Sequence, residues 1–500
     1  MIRRAAGNGE SATEPAWSVE IRRLMVAVSD FQFPAGRSTP LIKLCAPGAD
    51  YGWRELEKTA TPRLLAEVSS KAKRSLKRDL RRNLEKITRP CLELERKSFG
   101  LAMRAIGLPA GKPDAKAVEK MFLREKPSHR LVSLFTKFPV LARLWCELIW
   151  QWREHVMEVL LRLATDRLAI SRAFFRGLPV SAIADARFGL SDRHNSGRTV
   201  VRLQFKAGSV IYKPRSGAGE SEWFSLLRWM TQQGFRPKLR AARVLSRRSY
   251  CWMEYIAPAS CRDEPGVRRF FERMGGIIAA AYLLKAVDCH RENVIAAGED
   301  PFLVDVDALW HVSSVTKTQS PADILYRTGF FPNSKRLSLQ SRSSVLGGAA
   351  TGAHLARING RRVAAADYAN EIIRGFSRAW SCTLGTASRR AAFLRRLRHI
   401  RSQRRRWIYR ATERYASIIG ASVQPLSLRS EAERNALIKS HCLRSSASES
   451  VIQAEFRALR QLNIPYFIRR TGQAMPPDKG PLPMELPRAV WEALCSVKGL

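Results

Sequence analysis

The chain has 500 residues, 45% of them apolar, enough for one large or two to three smaller packed domains and far too apolar for a disordered or low-complexity polymer. Lys and Arg number 86 against 44 Asp and Glu, a formal charge of +42, which points to a polyanionic partner such as nucleic acid, anionic lipid or an acidic peptide, unless the charge only solvates basic helices. Nine cysteines, from Cys45 to Cys495, include no C-x-x-C pair, and their odd number argues against a full disulfide framework, which fits a reducing compartment. The start, MIRRAAGNGESATEPAW, lacks the apolar centre of a signal peptide, and the longest apolar run, GGIIAAAYLLKAV, is too short to span a bilayer. The sequence therefore predicts a cytoplasmic, soluble protein without membrane insertion.

From Met1 to about Pro62 the chain is mixed, with turn-forming stretches FPAGRSTP and APGADYG. Arg63 to Arg104 has helical periodicity with a break predicted at Pro90, and PVLARLWCELIWQWREHVMEVLLRLATDRLAIS forms a second core-forming helical block. At Thr199 the period changes. In TVVRLQF, Val201, Leu203 and Phe205 share one face, KAGS supplies a turn, and VIYKPR completes a hairpin. A helix follows in ESEWFSLLRWMTQQG, then short strands in AARVLS and YCWMEYIA, then a long apolar helix from Val267 to Val287. It runs into LLKAVDCHRENVIAAGEDPFLVDVDALWH, where Asp288, His290 and Asn293 have D-x-H-x-x-N spacing. Period two in PFLVDVDALW predicts a buried strand with Asp305 and Asp307 on one face. Downstream the chain is mostly helical, with Arg406 and Arg410 of HIRSQRRRWIYR at i and i+4 of a basic helix, through RALRQLNIPYF to the Pro-rich tail MPPDKGPLPMELP.

A strand lysine, further strands, a long helix, a loop of acid, His and Asn, and a strand with acids is the layout of kinase-like phosphotransferases. In such sites the lysine, here Lys213, neutralises ATP phosphates, and oxygen donors, here Asn293 and Asp305, hold Mg2+. Taken singly, Asp288 is explained as a helix cap, His290 as a satisfied loop histidine and Asp305 as an ion-paired core acid. Together they resist that explanation, because two acids on one face of a buried strand incur a desolvation cost that a cation or base must offset. No Walker A sequence occurs, no G-x-G-x-x-G precedes Lys213, and Asp precedes His in DCHREN. A P-loop enzyme and a standard protein kinase are therefore disfavoured; the spacing resembles that of phosphoinositide 3-kinase-group lipid kinases.

Six segments in order, LSDRHNSGRTVVRLQFKAGSVIYKPRS, YCWMEYI, DCHRENVIAAGEDPFLVDVDALWH, ADILYRTGFFP, RWIYRATERYASII and LNIPYF, resemble the dehydratase domain of type 2 lanthipeptide synthetases, over roughly Arg63 to Phe467. The resemblance implies a lipid-kinase-like core that phosphorylates Ser and Thr of a ribosomally made, leader-bearing precursor peptide with ATP and Mg2+, then eliminates phosphate to give dehydroalanine and dehydrobutyrine. It implies a phosphorylation set of Lys213, Asp288, His290, Asn293 and Asp305, with Asp307 on the metal side where the family usually has Glu. It implies an elimination set of Asp192, His194, Arg406 and Thr412. Periodicity alone does not pair the last two, since residues six apart lie about 120° from each other around an ideal helix.

The family's zinc cyclase has no counterpart here: His441 and Cys442 are adjacent, without a partner cysteine at ligand spacing. The resemblance thus implies a dehydratase without cyclase activity, either standing alone or split from a separate cyclase that would be a further partner, with nucleic acid disfavoured. The expected class is α+β: a lipid-kinase-like two-lobed core with helical additions. Its expected parts are a variable segment at 1–62, a helical accessory region at 63–175, a strand-rich lobe at 176–258 and a mostly helical lobe at 259–500. The rival expectation is a catalytically decayed pseudoenzyme, or a basic protein that binds a leader peptide or nucleic acid.

Overall fold

A computed structural model describes residues 16–31, 39–106, 121–122, 126–309, 321–331, 345–346, 355–401, 404–443 and 447–470. The first residues of the chain, most of FPAGRSTP, Trp310 and His311, the Pro-rich tail and Cys495 lie outside them. The class is α+β, predominantly helical. The chain divides into two compact units, Met1–Pro214 with Tyr409–Tyr466, and Arg215–Ile408 with Phe467–Leu500. Among the described residues no helix is long and apolar enough to cross a membrane. The eight described cysteines are all buried and free.

The first unit is built on long helices. Ser70–Ala105 starts at Ser69, whose hydroxyl accepts from the Ala72 amide at 3.1 Å, and buries Leu76, Leu80, Leu84, Ile87 and Cys91 along one stripe. The break predicted at Pro90 does not occur. A proline costs a helix interior about 3 kcal/mol, but here Ile87, Thr88, Cys91 and Leu92 are buried on both sides of it, and their packing holds the helix through. APGADYG is likewise not a turn: it lies inside the helix Pro40–Thr59. Its glycines serve close packing, since a Cβ on Gly48 would come within 2.5 Å of the Trp145 ring and one on Gly52 within 2.6 Å of Leu80.

Pro139–Phe174 forms the second long helix, as the periodicity predicts. Strands Asp185–Arg187, Val201–Phe205 and Gly208–Lys213 pair antiparallel, with Val201 opposite Tyr212 and Phe205 opposite Gly208. Val201, Leu203 and Phe205 are buried, as period two requires. Beside them His155 is buried, its Nε2 3.0 Å from the Thr199 carbonyl, and burial lowers its pKa from 6.5 to about 4. The folded state keeps this imidazole neutral at a pH where the unfolded chain already binds a proton. Its contribution is complete above pH 6.5 and is lost as pH falls toward 4, about 3 kcal/mol in all. Denaturant midpoints measured across that range should fall less steeply for His155→Gln than for the unchanged protein; equal slopes would remove His155 from the account.

Helices Thr412–Ser422, Glu431–Leu443 and Glu449–Arg460 close the first unit around Tyr415, Ile418, Ile438 and Leu459. Two buried arginines tie them. Arg434 donates to the carbonyls of Ser422 at 3.1 Å and Arg460 at 2.9 Å, placing a cation on the unsatisfied ends of two helices. Arg410 donates to both oxygens of the fully buried Glu455 at 2.9 and 2.7 Å and to the Cys442 carbonyl at 2.6 Å, while Tyr415 donates to Glu455 at 2.5 Å. The basic helix expected to carry Arg406 and Arg410 together is therefore absent. Arg404–Trp407 is a strand of the second unit, antiparallel to Phe467–Arg470, where ladder bonds to a remote segment outweigh local helical preference.

In the second unit the hairpin Val244–Ser246 and Cys251–Glu254 matches the predicted strands. The helix Glu264–Leu283 is capped by Asp263, which accepts from the Gly266 amide at 2.7 Å, and it ends at Leu283 rather than at the expected Val287. It crosses the helix Ala369–Leu384 backbone to backbone. A Cβ on Gly275 would strike the Ile372 carbonyl, and one on Gly375 the Glu272 carbonyl. A further hairpin pairs Val294–Ala297 with Asp300–Leu303. The predicted strand through PFLVDVDALW thus stops at Leu303, and Asp305 and Asp307 lie in irregular chain beyond it.

Candidate functional site

The loop after the Glu264–Leu283 helix is held in an uncommon shape. Lys285 and Asp288 have φ of 46° and 67°, a left-handed conformation that side chains disfavour. Backbone bonds clamp it: Val287 donates to the Ala308 carbonyl at 3.1 Å, Cys289 to Thr328 at 2.8 Å, and Val304 to Asn293 at 2.8 Å. These bonds draw the D-x-H-x-x-N loop and the acids of residues 305 and 307 into one neighbourhood.

There His290 Nε2 lies 3.5 Å from Asp288 Oδ1, and Arg406 Nη1 3.5 Å from Asp288 Oδ2 and 3.8 Å from Asp307 Oδ1. Arg215 pairs with Asp305, and its Nε lies 3.2 Å from Asp307 Oδ2. Burial raises the Asp288 carboxyl to about 6, against the pull of His290 and Arg406 and with the push of Asp307 and Asp305. The counter-charge that the acids require is thus supplied by Arg215 and Arg406. Arg215 was missed in the sequence although it lies in VIYKPR; its anchor is the fully buried Glu220, 2.9 Å away, and burial of that acid is not visible in one dimension.

Asn293 Nδ2 donates to the Asp288 carbonyl at 2.8 Å, which leaves the amide oxygen as the atom able to meet a cation. Among the described residues no three of His, Cys, Asp and Glu converge as a metal group. An amide oxygen with the carboxylates of Asp305 and Asp307 is a different set. By donor chemistry it fits a hard divalent ion that takes its remaining ligands from water or phosphate.

The other sequence-derived residues fall in the first unit. Lys213 ends the strand Gly208–Lys213 and is 4% exposed. Asp192 and His194 lie in a tight loop where Asn195, Ser196 and Gly197 all have positive φ and where a side chain on Gly197 would meet Gln151. His194 Nδ1 lies 2.8 Å from the Ile464 carbonyl; that oxygen only accepts, so Nδ1 carries the proton and Nε2 is the basic nitrogen. Thr412 is the first residue of the helix Thr412–Ser422. Of the elimination set, Arg406 alone belongs to the second unit, in contact with Asp288 and Asp307.

The chain is 22% identical over 325 residues to the lacticin 481/lactococcin biosynthesis protein LcnDR2 of Lactococcus lactis subsp. lactis, an alignment that covers 55% of this chain and 35% of that protein. The chain thus spans about a third of the length of this relative. Residues 138–355 and 331–470, together more than half of the chain, match the family described as a domain of unknown function, DUF4135. The chain belongs to the DUF4135 family.

Proposed function

We propose that this chain takes part in lanthipeptide maturation as a dehydratase, phosphorylating Ser and Thr of a precursor peptide and then eliminating the phosphate. The observation that carries this reading is the Asp288, His290, Asn293, Asp305 and Asp307 cluster with its two guanidinium groups. Similarity to a lantibiotic biosynthesis protein and the six ordered segments support it.

In the first half-reaction Asp288, with a carboxyl pushed up to about 6, takes the proton of the substrate hydroxyl as its oxygen bonds to the γ-phosphorus of ATP and ADP leaves. His290 holds and supports that carboxylate. Asn293, Asp305 and Asp307 would hold Mg2+, which when bound neutralises phosphate charge, and Lys213 would meet the nucleotide phosphates. In the second, a base removes the substrate α-proton, the Cβ–O bond breaks and phosphate departs. His194 Nε2 with Asp192 suits the base, and Arg406 and Thr412 suit the phosphate.

Co-expression with a leader-bearing peptide rich in Ser and Thr, followed by mass measurement, tests the reading. The product should lack one water per modified residue; peptide that carries neither phosphate nor dehydrated residues would overturn it and favour a binding protein without catalysis. Thr412→Ala should let phosphopeptide accumulate, with elimination slowed about 10²-fold or more. Arg406→Ala should slow both steps, because it also removes the cation 3.5 Å from Asp288.

A further inference from the structure

Arg215, Glu220, Asp305 and Asp307 all belong to the second unit. Arg215 stands in the short link before the helix Ala218–Gln232, and Glu220 lies in the first turn of that helix. Asp305 is 90 residues beyond Arg215 in the chain. Close backbone packing brings the two segments together: a Cβ on Gly219 would come within 2.5 Å of the Val306 carbonyl, so the first helical turn rests directly on the chain between the two aspartates.

Every nitrogen of the Arg215 guanidinium faces a carboxylate. Nη1 donates to Glu220 Oε2 at 2.9 Å, Nη2 donates to Glu220 Oε1 and to Asp305 Oδ1, and Nε lies 3.2 Å from Asp307 Oδ2. The Glu220 side chain is fully buried and that of Arg215 is 15% exposed. Neutralising Glu220 needs only the Nη1 and Nη2 edge, a paired geometry in which guanidinium and carboxylate commonly meet. The remaining donors reach one oxygen each of the two aspartates on the proposed metal side. Planar and rigid, the group fixes those two oxygens relative to each other, and with them how the second oxygen of each carboxylate is turned.

Two roles suit such a group. As a rival cation it would hold the carboxylates away from a divalent ion, and as a support it would hold them ready for one. A rival has to withdraw, whereas Arg215 is locked by two bonds onto a buried carboxylate that the helix holds in place. It also takes one oxygen of each aspartate, so an ion on the second oxygens does not require it to leave. Carboxylates that bind metals are themselves commonly hydrogen-bonded, and loss of such a partner costs about 10–100-fold in metal affinity or activity.

We propose that Arg215 is a positioning residue, anchored by Glu220, that sets Asp305 and Asp307 to receive the divalent ion without touching it. The inference rests on the reading of Asn293, Asp305 and Asp307 as the metal side of a phosphorylating site. Lysine in place of Arg215 keeps the charge and loses the fork, since an ammonium on a flexible stem does not hold three carboxylates at fixed spacing. Glu220→Gln keeps the shape of the anchor and removes its charge.

The test is a titration of the full chain with Mn2+ alone, read from the EPR signal of the free ion, with Asp305→Asn marking the site by removing it. Arg215→Lys should weaken Mn2+ at that site about 10–100-fold, and Glu220→Gln about tenfold, in proteins whose circular dichroism matches the parent. Arg228→Lys, the same exchange at an exposed position of the same helix, should leave the affinity unchanged. In phosphorylation assays the Mg2+ concentration for half-maximal rate should rise with Arg215→Lys, while the rate at saturating Mg2+ returns to within a few-fold of the parent. Equal Mn2+ affinity of Arg215→Lys and the parent, or a tighter variant as a rival cation requires, overturns the proposal. Should Arg215→Lys not fold, unchanged affinity in Glu220→Gln overturns it instead. A parent with no Asp305-dependent Mn2+ site overturns the metal reading and this inference together. Dehydration of peptide by Arg215→Lys at the parental Mg2+ dependence keeps the dehydratase and removes this role; Mn2+ held through Arg215 by a chain that modifies no peptide does the reverse.

Discussion

Asp288→Asn should lower peptide phosphorylation about 10²–10⁴-fold while the protein remains folded. Asparagine preserves the shape of the side chain and can still accept from Arg406, 3.5 Å away, and the backbone carbonyl that accepts from Asn293 is untouched. What disappears is the proton acceptor. Asp305→Asn should be comparably severe for a different reason: it removes one of the two carboxylates that, with Asn293, suit a divalent ion, and it leaves Arg215 to Asp307 and Glu220. Transfer of labelled γ-phosphate from ATP to peptide measures both. A rate within a few-fold of the unchanged protein for Asp288→Asn would remove Asp288 from the role of base.

The second large effect is on stability. Gly375→Ala should destabilise the protein by about 3 kcal/mol or more, beyond the usual range for overpacking, because the added methyl falls on the Glu272 carbonyl and not on a side chain that can turn away. Gly275→Ala meets the Ile372 carbonyl in the same way. The helix Glu264–Leu283 leads directly into the Asp288 loop, so forcing the two helices apart should cost activity along with stability. Melting temperature and phosphorylation rate, measured together, check this. A Gly375→Ala protein as stable as its parent would show that the two backbones are not in contact.

What could be seen in the sequence follows from how local each feature is. Val201, Leu203 and Phe205 alternate with polar residues, so the hairpin and its buried face were legible. The D-x-H-x-x-N loop was legible because its spacing is closed locally, by the Asn293 bond to the Asp288 carbonyl. Pro90, Pro47, Gly48 and Gly52 misled because the partners that make a helix worthwhile there, such as Trp145 and Leu80, lie far away in sequence. Arg406 misled for the same reason, since its strand depends on Phe467–Arg470. Arg215 and His155 carried no signal, because burial of a polar group with or without a partner is a property of the packed chain.

One chain that phosphorylates and then eliminates, sharing Arg406 between the steps but using Asp288 only in the first, should still eliminate when phosphorylation is lost. The most direct measurement supplies a synthetic phosphoserine peptide, carrying the leader, to the Asp288→Asn protein and weighs the product. Conversion to dehydroalanine is expected at a rate close to that of the unchanged protein, although the variant no longer phosphorylates the parent peptide. Phosphopeptide recovered intact from both the variant and the unchanged protein would contradict it.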